Sequence, residues 1–356
     1  MKTPTQKLST ALRVPKTSRG FSLIELMVAM VISLLIMGAI LTLFLDVSRT
    51  NDEMAKTNVL IENGRFSLQL MQADVQHAGF WGELDNNIDS PTAIPDPCVV
   101  AGWNAAYKTN LIGIPVQAFP DATGLASCGV TGVLASSDVL LVRHANTCVK
   151  GECDADTNND TGWHIQVSGC RNVGTEDPYV IDKATFPLRT KTCSLDSPVL
   201  PVDLAPRRKV VSKLYYLANS GVPAVPTLMR VELVNGAYAE PQPLIEGVES
   251  FRVELGLDTE GKNGLPISAS NPGDGSADEF KRCTALTPCV LDDLANVVAV
   301  KLYVLVRNTV ATRGYTDKKK YQLGGTAIAA ADDGFKRHVF STTVRLVNPS
   351  GRREIP

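Results

Sequence analysis

Four histidines, His77, His144, His164 and His338, are all that this 356-residue chain carries. None stands at the spacing of a zinc protease or of a nucleophile with its base, so they are read as structural or surface residues. Glycine-rich phosphate loops of the Walker or dinucleotide-binding type are missing too, which argues against a nucleotide-hydrolysing motor. Charge of either sign is in short surplus: 35 Lys and Arg stand against 37 Asp and Glu, leaving −2. So small a net charge gives no footprint for a polyanion, and nucleic acid is set aside as a partner. No repeat of fixed period and no low-complexity tract occurs, which excludes solenoids and fibrous arrays. The expectation is a protein that is not an enzyme, with no cofactor and no resident metal.

Two local gaps say more. The first 20 residues hold Lys2, Lys7, Arg13, Lys16 and Arg19 and no acid, so without them the balance is 30 minus 37, or −7. From Leu26 to Leu45 there is no charge at all. At about 1.5 Å per residue those twenty residues span roughly 30 Å as a helix, one hydrocarbon core. Basic residues before this segment, with Asp46, Asp52 and Glu53 behind it, keep the front in the cytoplasm and place the rest outside it.

The eight cysteines, Cys98, Cys128, Cys148, Cys153, Cys170, Cys193, Cys283 and Cys289, all follow the apolar segment, where an oxidising compartment favours disulfides. Eight cysteines allow 105 connectivities. Pairing of sequence neighbours is the simplest choice: 98 with 128, 148 with 153, 170 with 193, and 283 with 289. Metal binding by Cys148 and Cys153 or by Cys283 and Cys289 is disfavoured, since neither pair has the spacing of a zinc knuckle and no His stands beside it.

One carboxylate, Glu25, stands near the start of the apolar run, although a carboxylate at mid-bilayer costs roughly 2.5 to 3.5 kcal/mol even on a lenient scale. A cleaved secretory signal does not fit, because the run is too long and lacks a small-residue site. A plain anchor fits the length and leaves the acid unexplained. The series Arg19, Gly20, Phe21, Ser22, Leu23, Ile24, Glu25 resembles the class III signal of type IV prepilins. That resemblance implies cleavage between Gly20 and Phe21 by a prepilin peptidase, N-methylation of Phe21, and a role for Glu25 in assembly. The new amine would lie one helical turn from Glu25. In lipid the two charges partly neutralise each other, and in a filament the carboxylate can meet the amine of a neighbour.

Val47, Met54, Ile61, Leu68 and Val75 recur every seven residues, with Met71 and Leu60 adding to the stripe, and predict that the helix continues to about Ala78, packed on its own head rather than in a free coiled coil. Gly64 interrupts the pattern, and Gly79 and Gly82 provide the stop. Beyond, DVLLVRH, WHIQVSG, KVVSKLYYLAN, LMRVELVNG, VESFRVELGL, NVVAVKLYVLVRN and HVFSTTVRLVN read as strands. SPVLPVDLAP and GVPAVPTL read as joints, 257 to 295 and 311 to 335 as long loops. CDADTNND, with Asp154, Asp156, Asn158 and Asp160, resembles the start of a calcium loop, but Asn159 replaces its glycine and Ile165 its bidentate glutamate. A solvated acidic loop is the better reading there, and NPGDGSADEF is less specific still.

ENGRFSLQLMQADVQHAGFWG, LIEGVESFRVELG, NVVAVKLYVLVRN and HVFSTTVRLVN with its short polar tail resemble the PilW minor pilins. The resemblance implies a low-abundance pilin acting with other minor pilins, the major pilin, a large tip adhesin and an inner-membrane assembly platform to prime type IV pili, supporting twitching motility and adhesion. A head of nearly 280 residues is hard to stack along a shaft, which points to a place at or near the tip. The expected fold is α+β: leader 1–20, transmembrane half-helix 21–45, amphipathic half-helix 46–78, and β-rich periplasmic head 79–356. Alternatives are a minor pseudopilin of a type II secretion system and a bitopic periplasmic binding or sensor protein.

Overall fold

In a computed structural model, residues 20–84, 89–152, 161–170, 176–191, 193, 203–222, 224–268 and 270–354 are described. The chain forms two compact units, Met1–Ala55 and Lys56–Pro356, and a 55-residue helix, α1 (Leu23–His77), contributes to both. It starts two residues later than the 21–45 segment expected from sequence, because Ser22 caps it.

In the first unit every large apolar side chain from Phe21 to Leu45 is at least half exposed. Of the three hydroxyls in this stretch, the two within the helix turn back on it: Ser33 Oγ donates to the Ala29 carbonyl (2.7 Å) and Thr42 Oγ1 to that of Ala39 (2.9 Å). Past Glu25 this stretch satisfies its own polar groups and presents hydrocarbon as far as Leu45, as a bilayer requires.

The second unit adds α2 (Ala105–Gly113), β1 (Val116–Phe119), β2 (Val139–Val149), β3 (His164–Val167), β4 (Tyr179–Asp182), β5 (Arg207–Ser220), β6 (Val225–Val234), β7 (Ala237–Tyr238), β8 (Gln242–Glu246), β9 (Val248–Leu257), β10 (Glu279–Lys281), α3 (Leu291–Ala295), β11 (Val297–Arg307), β12 (Tyr321–Leu323), β13 (Thr326–Ile328), β14 (Arg337–Arg345) and α4 (Val347–Glu354). The named strand pairs are all antiparallel. One sheet runs β1-β2-β5-β3-β4, with β6 also on β5 and β7 and β8 on β6. Strand β5 is 14 residues long and serves as the spine. Its 208–215 stretch pairs with β2, which leaves the opposite edge for β3 at 207–209 and β6 at 213–220. The second sheet runs β10-β9-β11-β14, and β12 and β13 form a hairpin.

The second half of α1 and one face of each sheet share a core: Leu60, Leu68, Met71 and Val75 meet Val142, Leu217, Phe251, Val253, Leu302 and Val304. Each such side chain contributes about 1.5–3 kcal/mol by leaving water. The outer face of the larger sheet is closed by α2 and by Trp81, Trp103 and Trp163, the last two stacked at 4.2 Å. Buried Asp138, just before β2, fastens one sheet to the other: it accepts from Arg252 Nη1 (3.0 Å), Arg282 Nε (2.9 Å) and the Val253 amide (3.0 Å) of the smaller sheet and its flank.

The seven-residue seam is corrected at its start. Val47 and Met54 are about half exposed, and the buried stripe is Leu60, Gly64, Ser67, Leu68, Met71 and Val75. Hydropathy passed over Gly64 and Ser67 because a glycine and a serine do not look like core. Gly64 is where the helix backbone lies against β14, since a Cβ there would run into the Phe340 ring. It is a contact, not an interruption. Ser67 is neutralised by donating to the Gly64 carbonyl (2.8 Å). The helix does end as expected: Gly79, at φ 71°, turns the chain and gives its amide to the Arg143 carbonyl of β2 (3.0 Å).

Three further differences concern short elements. Part of GVPAVPTL is strand β6 and not a joint; Pro226 sits at the far end of the β5 ladder, where its carbonyl accepts from Gly247 and its missing N–H matters little. The polar tail folds as α4, held by Asn348, which donates to the Ala78 carbonyl (3.2 Å), and by Arg353. The stretches 257–295 and 311–335 contain β10, α3 and the β12–β13 hairpin.

Candidate functional site

The N-terminal motif is built from two residues that complete each other. Gly20, Phe21 and Ser22 precede the helix and are exposed. Ser22 Oγ accepts from the Glu25 amide (3.2 Å), and the Glu25 carboxylate accepts from the Ser22 amide (2.9 Å). The first helical bond, Leu26 amide to Ser22 carbonyl, is 3.2 Å. This reciprocal pair is a capping box. It satisfies two amides that the first turn of a helix leaves unpaired, and the carboxylate also lies where the helix dipole favours negative charge. Sequence reasoning gave Glu25 a partner only in the event of cleavage; the S-x-x-E spacing before an apolar run was the signal for the partner it has here, Ser22.

Behind the motif, α1 is long and apolar enough to cross a membrane by length and composition.

In the head, Cys98 is bridged to Cys128, Cys170 to Cys193 and Cys283 to Cys289, with Cα atoms 4.8, 5.3 and 5.1 Å apart. Cys153, and with it the expected Cys148–Cys153 pair, lies outside the described residues, as do Asp154, Asp156, Asn158, Asn159 and Asp160. Ile165 is buried in β3. The two aspartates of NPGDGSADEF are spent on the backbone. Asp278 accepts from the Thr259 and Glu260 amides (2.8 Å each) and Asp274 from that of Ser276 (2.8 Å).

The histidines serve packing. His338 stacks edge-on against Phe340 at 4.7 Å and His164 against Phe186 at 6.0 Å. His77 and His144 lie 5.9 Å apart near the end of α1, where Asp74 takes bonds from Lys213 Nζ (2.9 Å) and Tyr215 Oη. This network ties α1 to β5. Burial holds the His144 imidazole below its usual range, with Asp74 at 3.9 Å only partly compensating, and burial together with Asp74 raises the Tyr215 phenol. A tyrosine that stays protonated and an imidazole that stays neutral are a cohesive arrangement.

Comparison with known proteins gives two family matches. Residues 214–348 match the type IV pilus-assembly protein W family, PilW, and residues 15–41 match the prokaryotic N-terminal methylation motif. The first runs from β5 to α4, across both sheets; the second brackets the capping box. No curated protein matches the chain. Among solved structures, a type IV-like pilin, TTHA1219 from Thermus thermophilus, aligns at 12% identity over 82% of this chain and 96% of its own, with a TM-score of 0.38.

Proposed function

We propose that this chain, a membrane-anchored type IV pilin-like protein of the PilW family, is a minor pilin that helps prime assembly of the type IV pilus and is incorporated at or near its tip. Its leader is removed between Gly20 and Phe21, Phe21 is N-methylated, and the head stands on the periplasmic side of the inner membrane before assembly. The partners are other minor pilins, the major pilin and a large tip adhesin, with the prepilin peptidase and the assembly platform acting on the way; twitching motility and adhesion follow.

The observation that carries this reading is the coincidence of the methylation motif with an acid at the head of an exposed apolar helix. Hydrolysis at Gly20 yields a cationic amine on Phe21. An amine and a carboxylate that enter lipid together cost less than either alone, so Glu25 marks the register at which subunits join. The bulk of the head supports a tip position, since so large a body is hard to repeat along a shaft.

Glu25→Ala tests the assembly role. The variant should be processed like the wild type yet reach sheared pili in much reduced amount, measured by immunoblot of membrane and pilus fractions. Normal incorporation would remove the pairing role. A deletion strain that secretes normally but loses surface pili places the protein in the pilus; loss of exoprotein secretion with intact twitching would place it in a secretion system.

A further inference from the structure

We infer that Ser22 is a positioning residue for leader removal: its hydroxyl keeps the Gly20–Phe21 bond outside helix α1. The inference rests on the reading that cleavage occurs at this bond. In a continuous helix the Glu25 amide would donate to the Phe21 carbonyl, four residues back, and the Ile24 amide to the Gly20 carbonyl. The Glu25 amide goes instead to Ser22 Oγ (3.2 Å), while the Ser22 amide is taken by the Glu25 carboxylate (2.9 Å). Ser22 thereby diverts the very donor that would draw Phe21 into the helix. The first carbonyl with a helical partner is that of Ser22 itself, and Gly20 and Phe21 stay exposed and non-helical.

The consequence is chemical. In the hydrolysis, water adds to the Gly20 carbonyl carbon and the bond to the Phe21 nitrogen breaks. Gly20 leaves as a carboxylate, and Phe21 takes the proton as an ammonium. Attack needs an open carbonyl face and a chain that can lie extended in a peptidase cleft, and a peptide bond inside a helix offers neither. Gly20 cannot secure this alone, because it does not act on the residues after it. The matched methylation motif covers 15–41, so the capped helix start falls inside the recognised segment, two residues past the bond to be cut.

The two halves of the box therefore have separate duties, the Ser22 hydroxyl in processing and the Glu25 carboxylate in assembly. The test follows conversion of full-length precursor to mature chain in peptidase-containing membranes. Ser22→Ala removes the hydroxyl and substitutes a strong helix former, and conversion should slow roughly threefold or more, as loss of an N-cap shifts the helix start. Ser22→Thr and Ser22→Asp, which can cap, should convert like the wild type, and so should Glu25→Ala, which keeps the Ser22 hydroxyl. Wild-type rates for Ser22→Ala, or a slow Ser22→Ala that Thr and Asp do not rescue, would overturn the assignment. A wild-type chain left uncut at Gly20–Phe21 would overturn the reading beneath it, a separate result.

Discussion

At the scale of single residues, the structure turns on places where a small or neutral side chain is required. Gly64 lets the Phe340 ring lie against the α1 backbone. Alanine there improves helix propensity by about 1 kcal/mol but places its Cβ inside the ring, and overpacking costs about 1–3 kcal/mol. Gly64→Ala should therefore lower the melting temperature, and Gly64→Ala with Phe340→Ala should lose less than the sum of the two single changes, measured by thermal unfolding in a double-mutant cycle. His144 is held below its usual range by burial among His77 and Asp74 of α1 and Lys213 of β5. The unfolded chain takes up this proton near pH 6.5, the folded chain only at more acid pH. Stability is complete above the unfolded value and falls as the pH drops through the interval down to the folded one. His144→Gln should flatten the loss of denaturant-derived stability as the pH falls below about 6.5; an unchanged slope would assign the acid loss to other groups.

At the scale of elements, what was legible in the sequence was long and strongly patterned. The seven strand segments named from alternation and β-branching are β2, β3, β5, β6, β9, β11 and β14, and the end of α1 fell at its glycine. Signals of a few residues were lost. Helix α2 is announced by Asn104, whose Oδ1 accepts from the Tyr107 amide (2.8 Å), but it stands among cysteines that drew attention elsewhere. Strand β10 and the β12–β13 hairpin are too short for a period to show, and α4 has no apolar stripe, being fixed by contacts with α1 and the 258–296 region. The methylation motif was readable because its residues are contiguous. The capping role of Ser22 required seeing the helix start. Disulfides brace these pattern-poor segments. The chain-entropy estimate gives about 4 kcal/mol for closing the 98–128 loop and about 2 kcal/mol for 283–289. Serine replacement of both partners should cost more stability at the first bridge than at the second, read by chemical denaturation; the reverse order would mean that native contacts, not loop length, dominate.

At the scale of the whole molecule, each unit has its own physical logic. The first holds an exposed apolar helical stretch from Leu26 to Leu45 with one acid, Glu25, just before it; the second is a two-sheet body with a helix in its core and no nucleophile-base arrangement among its described histidines. A chain made this way is an anchor joined to a body. The methylation motif falls at the start of α1, with Glu25 within it. The most direct measurement is the mass of the N-terminal peptide of the protein isolated from cells with an active prepilin peptidase. The account predicts a chain that begins at Phe21 and carries the extra mass of a methyl group. A chain that still begins with Met1 and keeps its basic leader would contradict it.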